Sequence, residues 1–282
     1  MKRRNIVRVL VVLFFGVGMG TPTLWGGVKL HCTFDDEEAV SKPAAASDKD
    51  AMSMWTTGAG KILFEKGFLG KAARLHGKRG NAEIIKVSPK VLDFTRSGRM
   101  DFWIKFNEDP HKVKEEYYIF CDSHWPINFQ MEVIPYDRPG NEKGEANYGL
   151  WLGARERGRD KQLFNWSSDR SHKGGPFSKV KPGKWNRFTV IWIKNEGKDD
   201  ELRTYINGET VPGSPRGAML TDVTGKLPAP ADNVGDIHIG GNKYGAYTSD
   251  FSIDELWIFD DPDDTPEKHG LKVPDVATEK DE

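Results

Sequence analysis

The sequence predicts an all-β sandwich of two antiparallel sheets, and three observations predict it. Short runs of alternating apolar and polar residues recur along the chain, with Gly, Pro, Asn and Asp between almost all of them. Thr204 to Val211 is a hairpin pattern, because Asn207-Gly208 between alternating residues favours a type I′ turn whose twist matches that of paired strands. Two longer runs, Phe188 to Ile193 and Phe251 to Phe259, are apolar on both faces, as strands covered on both sides must be.

Taken in order, the chain opens with Lys2, Arg3, Arg4 and Arg8, an apolar run from Val9 to Val17, and small residues at Gly18 and Gly20. That is the pattern of a secretory signal peptide, assigned to residues 1–26, with an uncleaved anchor as the alternative. The apolar run is short for a membrane span, and none is expected after cleavage at Gly20 or Gly26. Val28 to Phe34 alternates and forms the first strand, ending in the acidic cluster Asp35-Asp36-Glu37-Glu38. Ala39 to Gly60 is polar and Ala-rich, a surface loop with room for one helical turn. Strands are then expected at 61–64, 72–76, 82–86, 100–106, 117–121, 129–134, 148–153, 162–166, 187–194, 202–206, 209–211 and 236–239, before the last at 251–259. In that last strand simple alternation puts Ile253, Glu255, Trp257 and Phe259 on one face and Asp254, Leu256 and Ile258 on the other. Thr265-Pro266-Glu267 starts one short helical turn that Gly270 stops. The sandwich is thus expected over residues 27–267, with a polar tail at 268–282.

Charge and cysteine content narrow the function. The 41 Lys and Arg against 42 Asp and Glu leave no basic footprint for nucleic acid. Without residues 1–26, which carry four cations and no acid, the count is 37 against 42, a net of −5. An exported protein meets an oxidising compartment, so Cys32 and Cys121 have two readings. One is a disulfide worth about 4 kcal/mol in the chain-entropy model, and the other is a pair of buried thiols. Neither has a Cys or His at the usual zinc spacing.

Several phrases resemble a known family in the right order. Gly70-Lys71-Ala72-Ala73-Arg74-Leu75-His76-Gly77, Phe102-Trp103-Ile104-Lys105, Gly183-Lys184-Trp185 followed by Tyr205-Ile206-Asn207-Gly208, and Ile239-Gly240-Gly241 followed by Ile253 to Phe259 look like laminin-G-like, concanavalin A-like jelly-roll domains. The likeness spans roughly Leu30 to Glu267. It implies a jelly roll whose last long strand runs beside its first, and it says less about activity, since one fold hosts many. Laminarinase-type hydrolases of that superfamily carry Glu-x-Asp-x-x-Glu on one strand, and this chain has no such motif.

The resemblance also implies a structural calcium ion between the first and last strands, held by Asp254 with Asp35 or Asp36. No cofactor is otherwise required. The alternative partner for a buried Asp254 is Arg74 or Arg203, since an unpaired buried carboxylate is costly. The second kind of site is aromatic. Nine Trp is rich for this length, and Trp faces stack on sugar rings while neighbouring amides hold hydroxyls. Trp103, Trp185, Trp192 and Trp257 lie in or beside core strands and are read as packing. Trp125, Tyr136, Trp166, Tyr244 and Tyr247, with Asn128, fall in loops or near strand ends and are the ligand-binding candidates. Three functions follow: an exported non-catalytic lectin-like module for glycan or another extracellular ligand, a structural or protein-interaction domain of the envelope, and, last, a hydrolase or lyase with an unfamiliar carboxylate arrangement.

Overall fold

The computed structural model describes residues 27–56, 61–77, 83–113, 117–121, 127–134, 149–156, 162–167, 176–196, 200–211, 236–242 and 250–273. For residue 55 and for most of 127–134, 149–156 and 162–167 the description is of the backbone alone. In chain order the strands are β1 (Val28–Cys32), β2 (Ala45–Ala46), β3 (Met52–Thr56), β4 (Leu63–Lys66), β5 (Lys71–Leu75), β6 (Glu83–Val87), β7 (Gly98–Phe106) and β8 (Tyr117–Cys121). They continue with β9 (Ile127–Ile134), β10 (Gly149–Glu156), β11 (Gln162–Ser167), β12 (Trp185–Ile193), β13 (Glu201–Ile206), β14 (Glu209–Thr210), β15 (Ile237–Ile239) and β16 (Phe251–Phe259). A short helix α1 (Glu37–Ser41) and two 3-10 turns, Pro176–Lys179 and Pro266–His269, interrupt them.

These strands form two antiparallel sheets. The larger runs β14-β13-β12-β7-β16-β1-β2, with β5 also paired to β16 and β4 to β5. The other runs β11-β10-β9-β8-β15-β6-β3. Strand β7 explains the layering. Its even residues Met100, Phe102, Ile104 and Phe106 are buried in the main core, and its odd residues Arg99, Asp101, Trp103 and Lys105 take the opposite face. Phe188 and Val190 of β12 join that core from the same sheet, while Ile85, Phe120, Met131 and Ile237 join it from the other. Phe102 meets Phe120 across the layers at 4.9 Å and stacks on Phe188 at 5.5 Å. Burial of this kind is the chief stabilising term of such a fold.

The first and last strands pair as expected, with Leu30 opposite Ile258, His31 opposite Trp257 and Cys32 opposite Leu256. The Asn-Gly hairpin is present too, with positive φ at both Asn207 and Gly208, as a type I′ turn demands.

Two expectations are corrected. Ala39 to Gly60 is not simply a loop, because Met52–Thr56 forms the edge strand β3 against β6, with Met52 buried and Met54 packed on the core. Strand β16 does not alternate throughout. Its register on β7 slips between Asp254 and Trp257, where Glu255 takes a φ of 50°, a bulge that inserts one extra residue. Ile253 therefore shares the inner face with Leu256 and Ile258, while Trp257 and Phe259 belong to a second cluster with Trp103. Of the two readings left open for Cys32 and Cys121, the structure has the pair of unbonded, buried thiols. They lie on β1 and β8, in different sheets. Residues 1–26 are outside the described residues, and no described helix is long and apolar enough to cross a membrane.

Candidate ligand-binding cleft

The outward residues of the larger sheet line up in rows across β12, β7 and β16. Arg187 stands opposite Trp103, which stands opposite Asp254; Thr189 stands opposite Asp101, which stands opposite Trp257. This face is covered in part by Phe68, which stacks on Trp103 at 4.9 Å, and by Leu271 and Val273 from beyond the last 3-10 turn. Between these covers and the β12–β13 edge lies a cleft of about 620 Å³. Trp185, Arg187 and Thr189 of β12, Arg99 and Trp103 of β7, and Tyr205 of β13 line it, with Asn207-Gly208 and Val273 at its rim.

Its polar floor is built around Asp101, which is fully buried. Asp101 accepts hydrogen bonds from Arg99 Nε at 2.5 Å, Arg187 Nε at 3.0 Å and Thr189 Oγ1 at 2.5 Å. The Arg187 guanidinium lies 5.0 Å over the Trp103 ring and is also bridged by Glu267. Burial works against its charge, yet Asp101 and Glu267 hold its pKa above the ordinary arginine value. Glu267 is correspondingly held below the usual glutamate range, burial notwithstanding, by Arg187. Trp185 and Tyr205 remain half-exposed on the two sides. Lys105 lies 5.2 Å over the Trp185 ring and is paired with Glu65 at 2.7 Å.

Of the residues read as packing, Trp192 is in the main core and Trp257 is buried in the second cluster. Trp103 is buried in the second cluster as well and borders the cleft from there, whereas Trp185 is only partly buried and lines it. The sequence held a usable signal for Trp103, since the strict alternation of Arg99, Asp101, Trp103 and Lys105 marks a polar face with a Trp in it. The ligand candidates Trp125, Tyr136, Tyr244 and Tyr247 lie outside the described residues. Asn128 and Trp166 sit on β9 and β11 of the other sheet, opposite Arg155 and Leu152 of β10.

Asp254 and Asp35 each accept main-chain N–H groups from or beside the turn joining β4 to β5. Asp254 accepts the Leu69 N–H and the Glu255 N–H, each at 2.9 Å, and Asp35 accepts the Lys71 N–H at 2.8 Å. Asp36 instead caps helix α1 through the Ala39 N–H at 2.8 Å. Main-chain donors thus offset part of the burial cost that the sequence raised for Asp254. The two arginines considered for that role are used elsewhere, Arg74 on Asp250 and Arg203 on Glu201. Among the described residues no three His, Cys, Asp or Glu side chains converge as metal ligands would.

No protein-family model matches the chain, and no curated protein matches its sequence. Solved structures do match its fold. The binding domain of Paraclostridial Mosquitocidal Protein 1 is similar at a TM-score of 0.52 and 14% identity, over 86% of this chain and 50% of that one. A structure of botulinum neurotoxin type C, reported with cell entry dependent on two ganglioside molecules, gives 0.51 and 15% over 86% and 50%. The binding domain of botulinum neurotoxin DC in complex with rat synaptotagmin II gives 0.51 and 15% over the same shares. The chain spans about half the length of these structures, and at such identities the likeness establishes a shared all-β sandwich fold.

Proposed function

We propose that the protein is an exported, non-catalytic, lectin-like module of laminin-G-like type that binds a glycan in the outer-face cleft. The observation that carries this reading is a concave site flanked by two half-exposed aromatic rings, Trp185 and Tyr205, above a floor of guanidinium and hydroxyl groups. Aromatic faces take the CH-rich face of a sugar, and donors at the floor fix its hydroxyls. The floor carboxylate argues for binding rather than hydrolysis. Asp101 is fully buried and committed to two arginines and a threonine, whereas a catalytic pair needs one acid and one base facing the same bond. Gangliosides and synaptotagmin are ligands of the structural neighbours, and a glycan or an extracellular protein is the corresponding range here. The candidates Trp125, Asn128, Tyr136, Trp166, Tyr244 and Tyr247 stay proposed as alternative ligand-binding residues, and a calcium ion at Asp254 with Asp35 or Asp36 as a structural accessory.

The test is a glycan array probed with the parent, Trp185→Ala, Tyr205→Ala and a combined Trp125→Ala/Tyr247→Ala variant, each with and without chelator. Binding that falls at least tenfold in the first two variants supports the cleft, since stacking aromatics carry much of such affinity. Loss only in the third moves the site to the loops. Silence across the array overturns the glycan reading in favour of a protein partner.

A further inference from the structure

Resting on the glycan reading above, we infer that the cleft takes a saccharide bearing a carboxylate, and that Glu267 stands in the carboxylate's place until such a ligand displaces it. A guanidinium offers two edges to carboxylates, and both edges of Arg187 are used. Nε and Nη2 face Asp101, at 3.0 and 2.9 Å. Nη1 and Nη2 face the two oxygens of Glu267, the second at 3.3 Å.

The two carboxylates differ in kind. Asp101 is fully buried, while the Glu267 side chain is 41% exposed. Arg99 already balances Asp101 at 2.5 Å, so Arg99, Arg187 and Asp101 together carry one uncompensated positive charge. Glu267 supplies the neutralising charge from outside the sheet. The turn that bears it is anchored independently: Pro266 is buried, and His269 stacks on Phe259 at 5.6 Å while bonding Asp264 at 2.8 Å. The Glu267 carboxylate also accepts from Thr265, and a change of rotamer swings it away from both partners with the turn left in place. What it exposes is a two-point donor edge between Trp185 and Tyr205, the recognition geometry for a planar carboxylate on a ring. An intramolecular competitor of this kind lowers apparent affinity by the fraction of time the site is open.

The experiment is calorimetric titration of a galacturonate trisaccharide and its carboxyl-reduced counterpart into the parent, Glu267→Gln, and Glu267→Gln/Arg187→Lys, with circular dichroism confirming that each is folded. We expect Glu267→Gln to bind the acidic trisaccharide about five- to tenfold more tightly, as removal of one partly exposed competing carboxylate implies, with the gain shrinking in high salt. The reduced sugar should bind parent and Glu267→Gln alike, and Arg187→Lys should erase the preference for acid. Equal affinity of parent and Glu267→Gln for the acidic sugar overturns the inference, and binding of the reduced sugar in that case leaves the glycan reading standing. If neither sugar binds any variant, the inference falls, and the glycan reading stands or falls with the array.

Discussion

At the scale of single residues, the buried Asp254 carboxyl is the strongest anomaly. Burial pushes it up to about 8, the neighbouring Glu255 adds to the shift, and N–H bonds from Leu69, Glu255 and Phe68 pull against it. An unfolded aspartate titrates near 4. Between about pH 4 and 8 the folded state therefore keeps a proton that the unfolded state has lost, and stability falls as pH rises through that window. Urea midpoints measured at steps across the window should decline in the parent, and the decline should vanish in Asp254→Asn; matching profiles would remove this account. Asp250 acts outside it. Burial opposes its charge, but Arg74 and Asn107 hold its carboxyl below the ordinary range, so its contribution is lost only on further acidification. The turn beneath Asp254 has no spare room. A Cβ at Gly67 would come within 2.5 Å of Asp254 Oδ2 and 2.6 Å of the Lys71 carbonyl, and Gly67→Ala should cost about 1–3 kcal/mol by urea titration. Burial, with nearby Asp254, Glu255 and Asp35, pushes the Cys32 thiol well up. Thiol reagent should accordingly label neither cysteine in the folded protein and both in urea.

At the scale of elements, what was legible was whatever the local pattern determines. Alternation placed β7, apolar runs placed β12 and β16, and the Asn-Gly pair placed the β13–β14 turn at Asn207-Gly208. That turn can be tested directly. Gly208 has a φ of 79°, and a Cβ on it would meet nothing within 4 Å, so Gly208→Ala should cost about 1 kcal/mol through backbone strain alone, read as a lowered urea midpoint. What was not legible depended on other segments. Strand β3 was hidden inside an Ala-rich polar stretch because its identity as a strand comes from pairing with β6. The partner of Asp254 was missed because main-chain N–H groups 185 positions away in the sequence carry no residue signature. The phase slip in β16 was missed because a bulge leaves no mark in composition.

At the scale of the whole molecule, the sheets share one main core, to which β7, β12 and β16 contribute from one side and β6, β8, β9 and β15 from the other. Loss of either sheet exposes that core, so urea unfolding should follow a single transition by fluorescence and by circular dichroism. With both thiols unbonded, reductant should leave the midpoint unchanged. The fold was thus read from sequence almost in full, but the cleft only in part. Trp103 and Trp185 were visible as residues, yet which layer each would face, and that Glu267 would close on Arg187 from 80 positions downstream, emerge only when the sheets are assembled.

The phase slip in β16 has a further corollary. A strand with one supernumerary residue would, on its removal, run in simple alternation with both halves still aimed as they are now. Geometry alone thus gives Glu255 no reason to be there. Its carboxylate does: it accepts from the Trp257 indole at 3.1 Å and lies 2.8 Å from His31 on the opening strand. The surplus position works as a clasp, fastening β1 and β16 side to side from an address that the pleat does not need.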